Sequence, residues 1–366
     1  MKKVLIFLSV FVLITLCGCK REENVIKDLT NKVNKSSAYH MTGTLKIYRN
    51  EEIYTYKVDS SYKKGDNFKV SLINKNNDHE QIILKNKEGV YVLTPSLNKS
   101  FKFQSDWPYN NSQIYLLQPV IDDINSDKNS SQKKTKSGYV ITSKVEYTTE
   151  KDFKNQKVYL NSKGAITKIE VVDDNNNVKM SLKINNIDFN AKFDKNYFDS
   201  KAYEKAQNND NSSKKSTENN TAQENNTEDK SKNNASENKK ENTTDNNETK
   251  NNTVAKIEEI IYPMYVPADT HLSGQNVVNT DNGERAILTF AGESSFTIVQ
   301  ETVKDSTSLD YVYGDPYIIM DTVGALSSDS VSWISNGIEY SVMSDSMDLD
   351  EILTVAQSIS VGALSK

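Results

Sequence analysis

The sequence predicts a mainly β, α+β protein: one long antiparallel sheet curled over two helices, then a disordered linker and a small α+β domain. Three observations carry this. Apolar residues alternate with period two through much of the chain up to residue 189, two segments show a helical face instead, and the composition breaks between residues 201 and 255.

The first segment, residues 1–18, reads as a lipoprotein signal peptide. Lys2 and Lys3 form a short basic start, and Val4 to Leu16 is apolar except for Ser9 and Thr15. That is the length of a signal-peptide apolar region and too short to span a bilayer, which takes about 20 residues. It ends in Leu16-Cys17-Gly18-Cys19, which resembles the bacterial lipobox, with a bulky apolar residue three before the modified cysteine and a small one just before it. Cys19 is therefore the expected lipidation site. Residues 19–23 become a short tether, and an N-terminal diacylglycerol holds the body outside the cell membrane on its extracytoplasmic face. No cysteine follows Cys19, so the mature chain has neither an internal disulfide nor a thiolate metal site.

Residues 24–200 carry the long sheet. Val25, Ile26, Leu29 and Val33 share one helical face. The period then becomes two: Tyr39, Met41, Leu45 and Ile47, next Tyr54, Tyr56 and Val58, and then Phe68, Val70 and Leu72. Gln81–Leu84 and Val90–Leu93 flank a hairpin signal ending in Gly89. Gln113 to Ile124 is the second helix candidate, and strands are expected over 139–147, 156–160, 165–173 and 178–189.

Residues 201–255 are almost entirely Asn, Lys, Glu, Ser, Thr and Asp, with Tyr203 the one aromatic. Such a composition buries too little apolar surface to offset the entropy of ordering, so a disordered linker is expected. As a flexible coil it would hold its ends roughly 40 Å apart, leaving the flanking domains free to move unless they bind each other. Net charge is about +7 over residues 20–200 and about −13 over 256–366. The lysines of the first domain are scattered along strands, which favours ordinary solvated surfaces over attraction between the two domains or a membrane-binding patch.

Residues 256–366 form the small α+β domain. Arg285–Phe290 and Ser295–Glu301 read as strands paired around Ala291-Gly292-Glu293, and Val331–Ile334 and Ile338–Met343 flank Ser335-Asn336-Gly337, a strong hairpin signal. Asp348 is placed to cap a final helix with Leu349, Ile352, Leu353 and Ala356 on one face.

Nothing in the sequence indicates an enzyme or a cofactor. Its three histidines, His40, His79 and His271, are isolated from nucleophile motifs, and neither Gly-x-Ser-x-Gly nor His-Glu-x-x-His occurs. His79 between Asp78 and Glu80 matches no metal-ligand spacing, and Asp122-Asp123 and Asp173-Asp174 lack the spacing that wraps calcium. No basic cluster is interleaved with aromatics for nucleic acid.

The block from Val90 through Tyr91, Leu93, Leu97, Phe101 and Phe103 to Trp107, Tyr115, Leu116 and Leu117 resembles clostridial lipoproteins related to the germination lipoprotein GerS and the sporulation protein YdcC. These belong to the LolA, LolB and RseB superfamily. Residues 158–170 also resemble the late strand, turn and strand of that fold, and residues 256–366 resemble the small domain of Firmicute lipoproteins and anti-sigma factors.

The resemblance implies a LolA-like half-barrel, a curved antiparallel sheet with helices on its concave face. Tyr91, Leu93, Leu97, Phe101, Phe103, Trp107, Tyr115 and Leu116 become the candidate ligand or partner surface. It implies a sporulation or germination role and a protein partner such as a cortex amidase. The alternative is a hydrophobic ligand, lipid or lipoprotein, held on the concave face. A tethered chain suits a stationary binding partner better than a shuttle. A long exposed sheet edge would also allow strand exchange into a homodimer.

Overall fold

The computed structural model describes residues 24–49, 52–97, 99–107, 113–147, 150–201, 256–281, 283–303 and 309–359. The expected signal peptide, Cys19 and the linker beyond Lys201 lie outside these residues.

Helix α1 spans Val25–Lys35. Its start is set by Asn24, whose side-chain oxygen accepts the Lys27 amide at 3.0 Å, and it buries Val25, Leu29 and Val33. Strands β1 (Ala38–Arg49), β2 (Glu52–Lys63), β3 (Asn67–Asn74), β4 (Glu80–Asn86), β5 (Gly89–Thr94) and β6 (Lys99–Phe103) form a continuous antiparallel meander. Helix α2 (Leu117–Ser126) follows, then β7 (Ser131–Lys134), β8 (Gly138–Lys144), β9 (Asn155–Asn161), β10 (Ile166–Val172) and β11 (Val178–Asp188). The last of these returns to pair antiparallel with β1, so the two halves join at the middle of one curved, open sheet. A bulge between Thr42 and Gly43 marks that junction. A Cβ on Gly43 would lie 2.6 Å from the Lys183 carbonyl oxygen, so the close approach of β1 to β11 requires glycine there.

Both helices pack on the concave face. Val25, Leu29 and Val33 of α1 and Leu117, Val120, Ile121 and Ile124 of α2 join one core with the inward residues of the strands. The second helix starts later than its apolar pattern suggests, because residues 114–116 form a turn before it. Leu116, at the cap position, supplies no side-chain hydrogen bond. The Tyr39 hydroxyl, from β1, accepts the Leu117 amide at 2.9 Å and donates to Gln118 Oε1 at 2.9 Å.

The convex face is covered in part as well. Ile82, Leu84, Tyr91 and Leu93 point away from the helices and pack with Phe193, Tyr197 and Phe198, which follow β11. Strands β4 and β5 are therefore buried on both faces, which explains their unbroken apolar runs.

The second sheet comprises β12 (Thr270–Thr280), β13 (Gly283–Gly292), β14 (Phe296–Thr302), β16 (Asp315–Ile319), β17 (Thr322–Leu326), β18 (Ser330–Ser335) and β19 (Ile338–Met343), backed by α3 (Leu349–Ser358). The 13/14 and 18/19 hairpins stand where their turn residues predict, with Asn336 and Gly337 both at positive φ. Asp348 caps α3 by accepting the Glu351 amide at 2.9 Å.

Strand β15 (Leu309–Val312) interrupts this order. It leaves the second sheet and adds in parallel to β6, becoming the edge strand of the first.

Candidate functional site

The concave face of the half-barrel is filled. Phe103, Trp107, Tyr115 and Leu116, four of the residues expected to form a ligand or partner surface, are buried in its core with α1 and α2, and Phe101 packs partly buried against them. Tyr91 and Leu93 lie on the opposite, convex face beside Phe198. Alternation along β5 makes this unavoidable, since Val90 and Val92 take the inward positions. Leu97 belongs to a 3-10 turn, Pro95–Leu97, and its side chain lies outside the described residues. The sequence block is thus split between two faces, with its bulkiest aromatic, Trp107, fully buried.

The open end of the concavity is closed by the β16–β17 hairpin. Ile318, Val323 and Ala325 join the half-barrel's own core, although β17 continues into the second sheet through β18. Four side chains from successive strands hold the hairpin by its backbone. Arg49 of β1 donates to the Ile318 carbonyl at 3.3 Å, and the Tyr56 hydroxyl of β2 donates to the Met320 carbonyl at 2.8 Å. Asn74 of β3 donates to the Asp321 carbonyl at 3.2 Å. Gln81 of β4 donates to the Val323 carbonyl at 3.1 Å and accepts the Val323 amide. The side-chain amide of Gln81 replaces the missing neighbour strand, satisfying a donor and an acceptor that burial would otherwise leave orphaned.

Arg49 also anchors a charged cluster. It pairs with Glu150 and donates to the Tyr317 hydroxyl at 2.8 Å, and that hydroxyl donates in turn to Glu150. Burial alone would lower the Arg49 pKa, but Tyr317 and Glu150 outweigh it and raise it, so the guanidinium stays charged. Burial pushes the Tyr39, Tyr56 and Tyr115 hydroxyls above their ordinary range, so all three stay neutral, and those of Tyr39 and Tyr56 serve as hydrogen-bonding groups.

The cavities left around the half-barrel's concave face are small, while an open cleft of about 440 Å³ lies apart from it on the second sheet, beside Phe290, Phe296 and Met343. One of about 50 Å³ lies between the half-barrel and the hairpin, lined by Ile47, Arg49, Tyr115, Phe153, Tyr317 and Ile318. A second of about 30 Å³ lies between Val92, Phe101, Phe103, Val323 and Trp333. Sites for drug-sized ligands run to roughly 300–1,000 Å³. Among the described residues no three His, Cys, Asp or Glu side chains are grouped to hold a metal ion. His40 pairs with Asp59 at 2.9 Å on the outer part of the sheet.

Sequence reasoning misses Arg49, Tyr56, Asn74 and Gln81. Each is a polar or amphipathic strand residue with no motif around it, and only the fold brings them into one row. The hairpin they hold is equally silent, because its turn at Met320 and Asp321 lacks the Asn-Gly or Asp-Gly pair that advertises one, and Met320 takes positive φ without help from glycine.

No family model matches the chain. Among curated proteins it is 30% identical over 353 residues to the sporulation protein YdcC of Bacillus subtilis (strain 168), covering 95% of this chain and 93% of that one. Among solved structures it aligns with the Pseudomonas aeruginosa MucA/MucB complex at 10% identity and a TM-score of 0.28, covering 91% of this chain and 97% of the other. It also aligns with the structure of the CwlD amidase from Clostridioides difficile in complex with the GerS lipoprotein, at 18% identity and a TM-score of 0.29, covering 48% and 98%. These superpositions score too low to bear on the assignment, which rests on identity running almost end to end with one sequence relative. The chain belongs to the family of the sporulation protein YdcC.

Proposed function

We propose that this chain is a non-enzymatic, membrane-anchored lipoprotein of sporulation or germination that binds a protein partner, an envelope or cortex-modifying enzyme. The observation that carries the reading is the filled concavity: Trp107, Tyr115, α1 and α2 occupy the face on which a carrier would hold its cargo, and the hairpin carrying Val323 closes the open end. The remaining space of about 50 Å³ is far below a hydrophobic-ligand chamber. Membership of a sporulation-protein family supports the cellular context. The resemblance over Tyr91 to Leu117 supports a cortex amidase as the class of partner.

The anchor in this reading is a diacylglycerol on Cys19. Two acyl chains suffice for stable attachment at about 0.8 kcal/mol per buried methylene. Among the described residues no helix is long and apolar enough to cross a membrane. Replacing Cys19 by Ala should abolish incorporation of labelled palmitate and move the protein out of the membrane fraction.

The reading is tested by affinity capture of the tethered protein from sporulating cells, with proteins and lipids quantified together. Stoichiometric recovery of a cortex or envelope enzyme without lipid is the expected result. Recovery of lipid alone overturns it in favour of a hydrophobic-ligand carrier.

A further inference from the structure

The half-barrel's last meander strand, β6, is short; Lys99, Phe101 and Phe103 share its inward face, where the Lys99 side chain is only 13% exposed, and Lys102 takes the opposite face, over the Tyr91 ring. Its outer edge is covered by β15. The register is Leu309 opposite Ser100, Asp310 opposite Phe101, Tyr311 opposite Lys102 and Val312 opposite Phe103. This is the one parallel ladder among the described residues. Parallel pairing is slightly weaker per residue than antiparallel, and here it spans four residues.

The occupant is held by a specific set of contacts. Leu309 packs against the convex cluster of Tyr91, Leu93 and Phe198, while Val312 packs on the opposite side against the main core. Asp310 pairs with Lys99 at 3.2 Å, and the Lys102 ammonium lies 5.9 Å from the centroid of the Tyr311 ring. Much of the segment faces water: Tyr311 is 67% exposed and the Asp310 side chain 41%.

From this geometry we infer that the β6 edge is a strand-accepting site for an extended partner segment of the pattern apolar, acidic, aromatic, apolar, and that Leu309–Val312 occupies it in cis. Backbone hydrogen bonds supply the general affinity of such strand addition, and side-chain pockets on alternate faces supply the selectivity. The pockets are apolar beside Tyr91, Leu93 and Phe198, cationic at Lys99, and apolar again where Val312 sits. The basic half-barrel and its two β6 lysines select an acidic occupant. The inference rests on the protein-binding reading and names its surface.

The test uses the full mature chain and a fluorescent peptide carrying residues 309–313. A Leu309→Ser, Val312→Ser double variant frees the edge without altering β6. The double variant should bind the peptide, and the wild-type chain should bind it about 10- to 100-fold more weakly, because the cis segment competes for the same edge. Lys99→Glu in the double variant, or Lys in place of Asp in the peptide, should weaken binding at least about tenfold.

Asp310→Lys, which keeps both apolar residues, serves as a milder release and should give an intermediate affinity; circular dichroism checks that each variant is folded. The inference is overturned if the folded release variants do not bind, if the charge-reversed peptide binds equally well, or if the wild-type chain shows no binding at 1,000 times the double variant's Kd, about 4 kcal/mol of competition. In that last case β15 is a permanent edge strand. Capture of an envelope enzyme that survives Lys99→Glu leaves the protein-binding reading standing and removes this edge as its site.

Discussion

The Gln81 side chain embraces the backbone of Val323, donating to its carbonyl at 3.1 Å and accepting its amide, across 242 residues of sequence. Both residues are buried, so neither backbone group has water as an alternative. Gln81→Ala should cost about 2 kcal/mol or more, since each buried backbone group left unpaired costs roughly 1–3 kcal/mol. Urea unfolding measures the loss. Amide exchange should rise first in residues 322–326, the strand that loses its holder.

The Arg49–Glu150–Tyr317 cluster predicts a non-additive pair. Arg49→Met alone leaves a carboxylate uncompensated in a largely buried site and should destabilise by roughly 3–5 kcal/mol. Combining it with Glu150→Leu removes the unpaired charge and should recover most of that loss. A double-mutant cycle in denaturant checks the coupling, and additive losses would rule out a paired role.

Tyr39→Phe isolates the cap of the second helix. The substitution keeps the buried ring and removes only the hydroxyl that accepts the Leu117 amide, at an expected cost of about 1–3 kcal/mol. Exchange protection should fall at the start of α2 and not in α1.

Glu339 gives a pH dependence. Burial first, and then Glu301 directly opposite it on β14, raise its carboxyl pKa above the ordinary value, with Lys99 opposing. In the window between the unfolded and folded pKa values the folded state holds more protons, so stability falls as pH rises through that window. Glu339→Gln should therefore be more stable than wild type at neutral pH, and the difference should vanish once the pH drops below the unfolded value. Thermal melts from pH 3.5 to 7.5 follow the crossover.

Much of the half-barrel is legible in the sequence because one face of each long strand is dry. Met41, Leu45 and Ile47 reveal β1 for that reason, as Val158 and Leu160 reveal β9. Strand β12 is hidden, because nearly all of Thr270–Thr280 is exposed, Leu272, Val277 and Val278 included, and its run follows no period. Strand β6 is too short and too rich in lysine to stand out, and β15 has no local signal, since its pairing partner β6 lies far back in the chain. The candidate site fails for a related reason. The aromatic block of Tyr91 to Leu116 shows which residues are bulky and buried but not which face each takes, and the polar row that holds the hairpin exists only after β1 to β4 are aligned. That row also answers whether the two sheets dock: the half-barrel's core includes Ile318, Val323 and Ala325.

The closing of the concavity by Val323 has a consequence in time. The strands of the half-barrel and its convex seal at Phe198 are complete about 120 residues of sequence before the hairpin, so docking of the hairpin awaits an interval in which the later chain follows. Throughout it Gln81 and Tyr56 have no hairpin backbone to hold, and the inner face is open at that end. A half-barrel folded within that interval has a vacant mouth which the finished protein does not retain, and a chaperone or acyl chain engaging it would be expelled when Val323 docks.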